Sequence, residues 1–125
     1  MRILVIGAVA AGTSAAAKAR RNDSEAEIII YEKDKDISYA GCGLPYYIGG
    51  VINDLSDITP RNVSYFKMKY NIEIFTRHEV LKIDPGKNEV SVKNLQTNEV
   101  FKDSYDKLVI ATGAFPFIPQ IKGMD

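Results

Sequence analysis

The chain has 125 residues, the size of one ordinary domain. It is 46% hydrophobic and 26% charged, so it can bury a core and falls outside the disordered class. Sixteen Lys and Arg residues balance sixteen Asp and Glu, a net charge of zero that argues against a nucleic-acid binder with its usual basic excess.

Met1 and Arg2, followed by an apolar stretch and Ala15, Ala16 and Ala17, trace the outline of a secretory signal. Gly7 and Gly12 interrupt that stretch, and Lys18, Arg20 and Arg21 follow at once on a helical pattern, which argues against it. Ile3, Leu4, Val5 and Ile6 instead read as a strand buried on both faces of a parallel sheet. A Gly/Ala turn over residues 7–12 breaks the run, and an alanine-rich helix is predicted over 13–21. Asn22, Asp23 and Ser24 supply turn chemistry, and residues 28–31 form a second buried strand ending at Glu32. The whole is a βαβ unit of the expected size, roughly thirty residues.

The middle of the chain is less regular. Residues 41–50 hold four glycines and Pro45, with room for a short helix over 44–48. Thr59 followed by Pro60 predicts a helix start, running to about Tyr70, with a strand over 72–75. From residue 79 to 105 the pattern becomes antiparallel: strands at 80–83, 90–92 and 100–101, with turns at 85–88 and 96–98, predict a three-stranded meander. Leu108, Val109 and Ile110 form a last buried strand, and residues 115–125, with Pro116 and Pro119, read as an extended tail. No apolar run approaches the ~18 residues of a membrane-spanning helix. The single cysteine excludes an internal disulfide framework and fits a reducing compartment.

Three features carry chemistry. The first turn, Gly7-Ala8-Val9-Ala10-Ala11-Gly12, keeps the first and third glycines of the G-x-G-x-x-G dinucleotide fingerprint and has Val9 at the middle one. It follows a strand, opens a helix and precedes Glu32 by 25 residues, the placement of a carboxylate that accepts ribose hydroxyls. Cys42 lies ten residues beyond Glu32 between two glycines. A helix starting just after it would favour a thiolate, whereas a lone cysteine also serves as a small buried hydrophobe. Ser14, Lys18 and Arg21 share one helix face, which suits either an anionic ligand or a solvated charged stripe. His78, the only histidine, excludes a His-based metal cluster and reads as structural.

These blocks, residues 7–21, Tyr31-Glu32-Lys33 running into 38–50, and residues 105–113, resemble the N-terminal FAD-binding part of the pyridine nucleotide-disulfide oxidoreductases. The resemblance is to the single-cysteine branch of coenzyme A-disulfide reductases, NADH oxidases and NADH peroxidases. Tyr47 stands five residues after Cys42, where two-cysteine members carry a second cysteine, and Ala10 stands where peroxidases and oxidases of the branch usually carry His. Val at the middle-glycine position matches the coenzyme A-disulfide reductases, which usually have Asn where this chain has Gly41.

The resemblance implies an α/β fold: a Rossmann-like FAD-binding domain with a parallel sheet plus a three-stranded antiparallel meander, incomplete at the C-terminus. It implies that residues 1–113 belong to the FAD-binding domain and that 114–125 lead toward an absent NAD-binding domain. Cys42 would be the redox-active catalytic thiol. Gly7, Ala8, Val9, Ala10, Ala11, Gly12, Glu32, Lys33, Cys42, Val80, Ala111, Thr112 and Gly113 would bind FAD, and Ser14, Lys18, Arg21 and Ser38 the substrate. The implied protein is a cytoplasmic homodimer that uses NADH or NADPH to reduce a small-molecule disulfide such as coenzyme A disulfide. It binds neither nucleic acid nor membrane, and the 125 residues alone would show little turnover. A cysteine sulfenic acid in an oxidase or peroxidase, and a non-catalytic dinucleotide-binding module, are the alternatives.

Overall fold

The computed structural model describes residues 1–114 and 117–123. Strand β1 (Arg2–Ile6) leads into helix α1 (Ala11–Asn22), and β2 (Glu27–Tyr31) follows. A 3₁₀ turn (Gly41–Gly43) opens α2 (Leu44–Ile48), and a second one (Leu55–Ile58) precedes α3 (Val63–Tyr70) and β3 (Glu73–Phe75). Strands β4 (His78–Asp84), β5 (Glu89–Asn94) and β6 (Val100–Ser104) then lead to β7 (Lys107–Ile110).

The strands form two sheets, as the sequence predicts. One is wholly parallel with order β3-β2-β1-β7; the other is the antiparallel meander β4-β5-β6, with a register shift between Val80 and Lys82. Side chains alternate across the parallel sheet because strand periodicity is two. Ile3, Val5, Ile28, Ile30 and Ile74 face the helices and pack with Ala16 and Phe66. Leu4, Ile6, Ile29 and Tyr31 face the meander and pack with Val90 and Val92. Covering both faces is what makes β1 and β2 unbroken apolar runs.

A polar pin ties the meander to β1 and β2 of the parallel sheet. Arg2 donates to Glu27 Oε1 at 2.6 Å and to Asp103 Oδ1 at 2.7 Å, and the Tyr31 hydroxyl donates to Asp103 Oδ2 at 2.8 Å. Burial, and then the bond to Asp103, raise the Tyr31 phenol above its ordinary pKa. Asp103 of β6 thus holds both central strands of the other sheet.

One expected boundary is corrected. Thr59 and Pro60 do not start α3. Thr59 instead closes the preceding 3₁₀ turn, its N–H donating to Ser56 O at 3.2 Å and its hydroxyl to Leu55 O at 3.0 Å. The cap is Asn62, in extended backbone, whose Oδ1 accepts from Tyr65 N at 2.9 Å. The helix ends at Asn71, left-handed at φ +47°. In the meander, Asn88 and Asn98 take the left-handed conformations of the two turns, φ +52° and +62°, which Asn tolerates better than most residues. Of the expected extended tail, residues 117–121 carry no helix or strand and 122–123 form a turn, while Phe115, Pro116, Met124 and Asp125 lie outside the described residues. Among the described residues no helix is long and apolar enough to cross a membrane.

Leu4 is fully buried between the sheets. Leu4→Ala is expected to cost about 2–5 kcal/mol, read as a lower urea midpoint at unchanged m-value. A loss below about 0.5 kcal/mol, the level of a surface change, contradicts a packed inter-sheet layer.

Candidate functional site

The turn between β1 and α1 is set by two steric constraints. Gly7 has φ +102°, and a Cβ there would stand 2.3 Å from Ala111 O at the end of β7. A Cβ on Gly12 would stand 1.8 Å from Gly7 O. The first glycine therefore lets the turn lie against the neighbouring strand end, and the last lets α1 pack on the turn. The middle position, Val9, is half-buried, and its carbonyl accepts from the Thr13 hydroxyl at 2.6 Å. No side chain caps the start of α1 at Ala10, so the first-turn N–H groups have no capping partner.

Glu32 is buried, 6% exposed, and its carboxylate bridges the site. Oε2 accepts from Ala8 N at 2.7 Å and Oε1 from Asp34 N at 3.0 Å. The backbone of Glu32 is held as firmly, donating to Phe75 O at 2.9 Å and accepting from His78 N at 2.8 Å. A carboxylate has about four lone-pair sites, so two hydrogen bonds leave capacity for ligand hydroxyls.

Two openings meet at this carboxylate. A cleft of about 680 Å³ at the C-terminal ends of β1, β2 and β7 is lined by Val9, Ala10, Ala11, Glu32, Lys33, Asp34, Tyr39, Ala111, Thr112, Gly113 and Ala114. A recess of about 190 Å³ beside it is lined by Gly7, Glu32, Lys33, Val80 and Thr112, together with Ile6, Tyr31, His78 and Glu79. Ligands of open parallel sheets bind in this crevice, beyond the strand carboxyl ends. Ten of the residues expected from sequence line one opening or the other. Ala8 and Gly12 are buried behind them, Ala8 through its N–H on Glu32 and Gly12 through the fit of α1.

His78 belongs to this wall as an aromatic residue. Its ring lies 5.6 Å from Phe75 and 6.1 Å from Tyr31, and its Nδ1 is 2.7 Å from Thr76 O, a carbonyl that can only accept.

Cys42 is exposed, which removes the buried-hydrophobe reading. It sits in the 3₁₀ turn directly before α2. Its loop is pinned at two points: Ser38 N donates to Ala8 O at 2.9 Å, and Ala40 N to Ile58 O at 2.7 Å. Gly43 is sterically required, since a Cβ would stand 2.5 Å from Ile58 Cγ2. Tyr39 lines the large cleft, and Cys42 stands outside the lining of both openings.

A third recess, about 190 Å³, lies between α1 and α3 and joins Ser14 and Arg21 with Thr13, Ala17, Arg61, Phe66 and Tyr70. Lys18 is exposed outside it, and Ser38, in the Cys42 loop, bonds through its N–H to Ala8 of the glycine turn. Sequence reading missed Arg61 and Tyr70. The start of α3 assigned to Thr59 hid Arg61 inside a helix; the Asn62 cap would have left it as the residue entering the helix.

The parallel sheet, the glycine turn and the carboxylate at the end of β2 define a dinucleotide-binding α/β protein. The model of the pyridine nucleotide-disulphide oxidoreductase family matches residues 1–125, and the chain belongs to that family. It is 48% identical over 113 residues to a coenzyme A disulfide reductase of Staphylococcus haemolyticus, covering 90% of this chain and 26% of the relative. The crystal structure of reduced CoADR-RHD from Bacillus anthracis superposes with a TM-score of 0.91 at 42% identity, over 96% of this chain and 22% of that one. A NAD-dependent persulfide reductase from A. fulgidus gives 0.92 at 38% identity, over 100% and 23%. The chain thus spans about a quarter of the length of the curated relative.

The two glycine environments give a paired expectation. Gly12→Ala forces backbone apart and is expected to cost at least about 1–3 kcal/mol. Gly41→Ala meets only Tyr39 Cε2 at 3.8 Å and is expected to stay within about 0.5 kcal/mol of the parent. Thermal unfolding of both variants checks the contrast; equal losses contradict it.

Proposed function

We propose that the chain forms the FAD-binding part of a flavin-dependent, NAD(P)H-driven disulfide reductase, with Cys42 as its redox-active thiol and a coenzyme A-type disulfide as its substrate. The observation that carries the reading is the buried Glu32 carboxylate bridging the glycine turn at the head of an open cleft.

The residues fit the cofactor. Gly7 and Gly12 leave no space for a Cβ and bring backbone to the cleft, as a pyrophosphate requires. The uncapped start of α1 offers N–H groups and the positive end of the helix dipole to phosphate. Glu32 has lone pairs left for ribose hydroxyls, and Val80, Lys33 and Thr112 wall the adjoining recess, a place for the base. Gly113 and Ala111 continue the floor of the cleft toward the redox end. When bound, FAD supplies the two-electron relay between a reduced nicotinamide and a thiol.

The chain's own chemistry centres on Cys42. Its thiolate attacks one sulfur of the substrate disulfide; the S–S bond breaks, one thiol leaves after taking a proton, and the other half stays as a mixed disulfide on Cys42. Two electrons and a proton then release the second thiol and restore the Cys42 thiolate. With one cysteine in the chain and Tyr47 five residues on, no second sulfur here can resolve the mixed disulfide internally. Exposure of Cys42 gives a bulky disulfide access, and the pinned loop fixes the approach. Ser14 and Arg21, in the recess between α1 and α3, are suited to an anionic portion of that substrate.

Two measurements test the reading. Glu32→Gln keeps the shape and loses the charge; FAD affinity by fluorescence titration is expected to fall roughly 10- to 100-fold, in line with a lost charge-assisted hydrogen bond. Unchanged affinity removes Glu32 from the site. Incubation with coenzyme A disulfide followed by intact-mass spectrometry is expected to show one coenzyme A adduct, absent in Cys42→Ser. Added oxygen in place of coenzyme A turns the reading to a sulfenate-using oxidase, and an unreactive Cys42 leaves a dinucleotide-binding module.

A further inference from the structure

We propose that the Tyr39 hydroxyl supplies the proton taken by the thiol that leaves when Cys42 attacks a disulfide. The inference deepens the disulfide-reductase reading and rests on it.

The step itself calls for a proton source. As the Cys42 sulfur bonds to one sulfur of the substrate, the substrate S–S bond breaks and its electron pair passes to the departing sulfur. An aliphatic thiolate is basic enough for a positioned donor to ease its departure, whereas a leaving group of low basicity needs none. Few groups qualify. His78, the one imidazole, lines the smaller recess, and its Nδ1 is committed to Thr76 O. Glu32 and Asp34 in the cleft only accept when ionised. Lys33 lines the smaller recess as well as the cleft, which places it at the Glu32 end.

Tyr39 remains, and three observations set it apart. It is the only aromatic side chain lining the cleft, and it comes from the Cys42 loop. Its ring also reaches back to the turn that holds the thiol. A Cβ on Gly41, the neighbour of Cys42, would stand 3.8 Å from Tyr39 Cε2, the ring carbon next to the one that bears the hydroxyl. That hydroxyl, finally, is unspent. Tyr31 donates to Asp103 at 2.8 Å and Tyr65 accepts from Lys69 at 3.0 Å, but the Tyr39 hydroxyl has no hydrogen-bond partner among the described residues.

The backbone holds the ring in place. Ser38 N donates to Ala8 O at 2.9 Å and Ala40 N to Ile58 O at 2.7 Å, so Tyr39 is the one residue between two pins. Ser38 itself is left-handed, φ +51°, a conformation that a non-glycine residue keeps only where its surroundings enforce it. Tyr39 is 37% exposed, open enough for a substrate to reach. A phenol keeps its proton at a pH where a cysteine thiolate is already formed, so donor and nucleophile coexist. After donating, the phenolate recovers a proton from water, and no oxidant or reductant enters.

The test uses the purified protein supplemented with FAD, with thermal unfolding and flavin absorbance confirming that each variant is folded. Rapid-quench mass spectrometry follows adduct formation on Cys42 with three reagents. Coenzyme A disulfide releases an aliphatic thiol, dithiobis(nitrobenzoate) releases an aromatic thiolate that leaves unprotonated, and iodoacetamide releases iodide. Tyr39→Phe is expected to slow coenzyme A disulfide by roughly 10- to 100-fold, toward the low end of general-acid contributions, and to leave the other two within about twofold. Tyr46→Phe, on α2 outside both openings, is expected to leave all three rates unchanged. Equal slowing with all three reagents marks a packing role for the ring and overturns the proposal, as does an unchanged rate with coenzyme A disulfide in Tyr39→Phe. The two readings fail differently. No adduct on Cys42 in the parent sinks the disulfide chemistry and the Tyr39 step with it; an adduct that forms equally fast in parent and Tyr39→Phe keeps the chemistry and removes Tyr39 alone.

Discussion

The site depends on one carboxylate. Glu32 is buried at the end of β2, and its oxygens reach Ala8 N in the turn after β1 and Asp34 N in its own loop. A buried carboxylate without partners would carry a large desolvation cost, and two charge-assisted hydrogen bonds to backbone N–H groups offset it. The same bonds fix the glycine turn relative to the adjacent strand. One side chain therefore joins the glycine turn to the end of β2 at the head of the cleft. Placing the charge here leaves the helix start of α1 facing an open cleft with its own N–H groups unspent.

The layers around the sheet explain why this geometry persists. Alternate residues of β1 and β2 pack against alanines and Phe66 on one side and against Val90 and Val92 on the other. On the meander side, Asp103 takes both Arg2, at the start of β1, and Tyr31, at the end of β2. The strand ends that carry Gly7 and Glu32 are consequently fixed from both faces. Site residues on rigid elements hold their spacing better than those on free loops. Here even the Cys42 loop is stitched to Ala8 and Ile58 through backbone hydrogen bonds.

Much of this was legible in the chain. The apolar runs at β1 and β2 announce a sheet buried on both sides, and the distance from Gly7 to Glu32 announces a nucleotide turn with its acid. The meander was readable from period-two alternation and from turns rich in Asn and Gly. Three things were not. The start of α3 was misplaced because Thr-Pro is a common helix opening, and only the structure reveals that Thr59 is committed to the preceding 3₁₀ turn. Arg61 was lost with it. Arg61 and Arg21, forty residues apart, line one recess, and neither carries a local sign of it.

The two glycines flanking Cys42 complete the physical picture, because they are there for different reasons. Gly43 is dictated by packing: any side chain would strike Ile58, the residue whose carbonyl also holds Ala40. Gly41 is not, for a Cβ there meets nothing closer than the Tyr39 ring at ordinary contact distance. The backbone on the N-terminal side of the sulfur therefore accepts a side chain and carries none. Without one, the space beside the exposed Cys42 stays open.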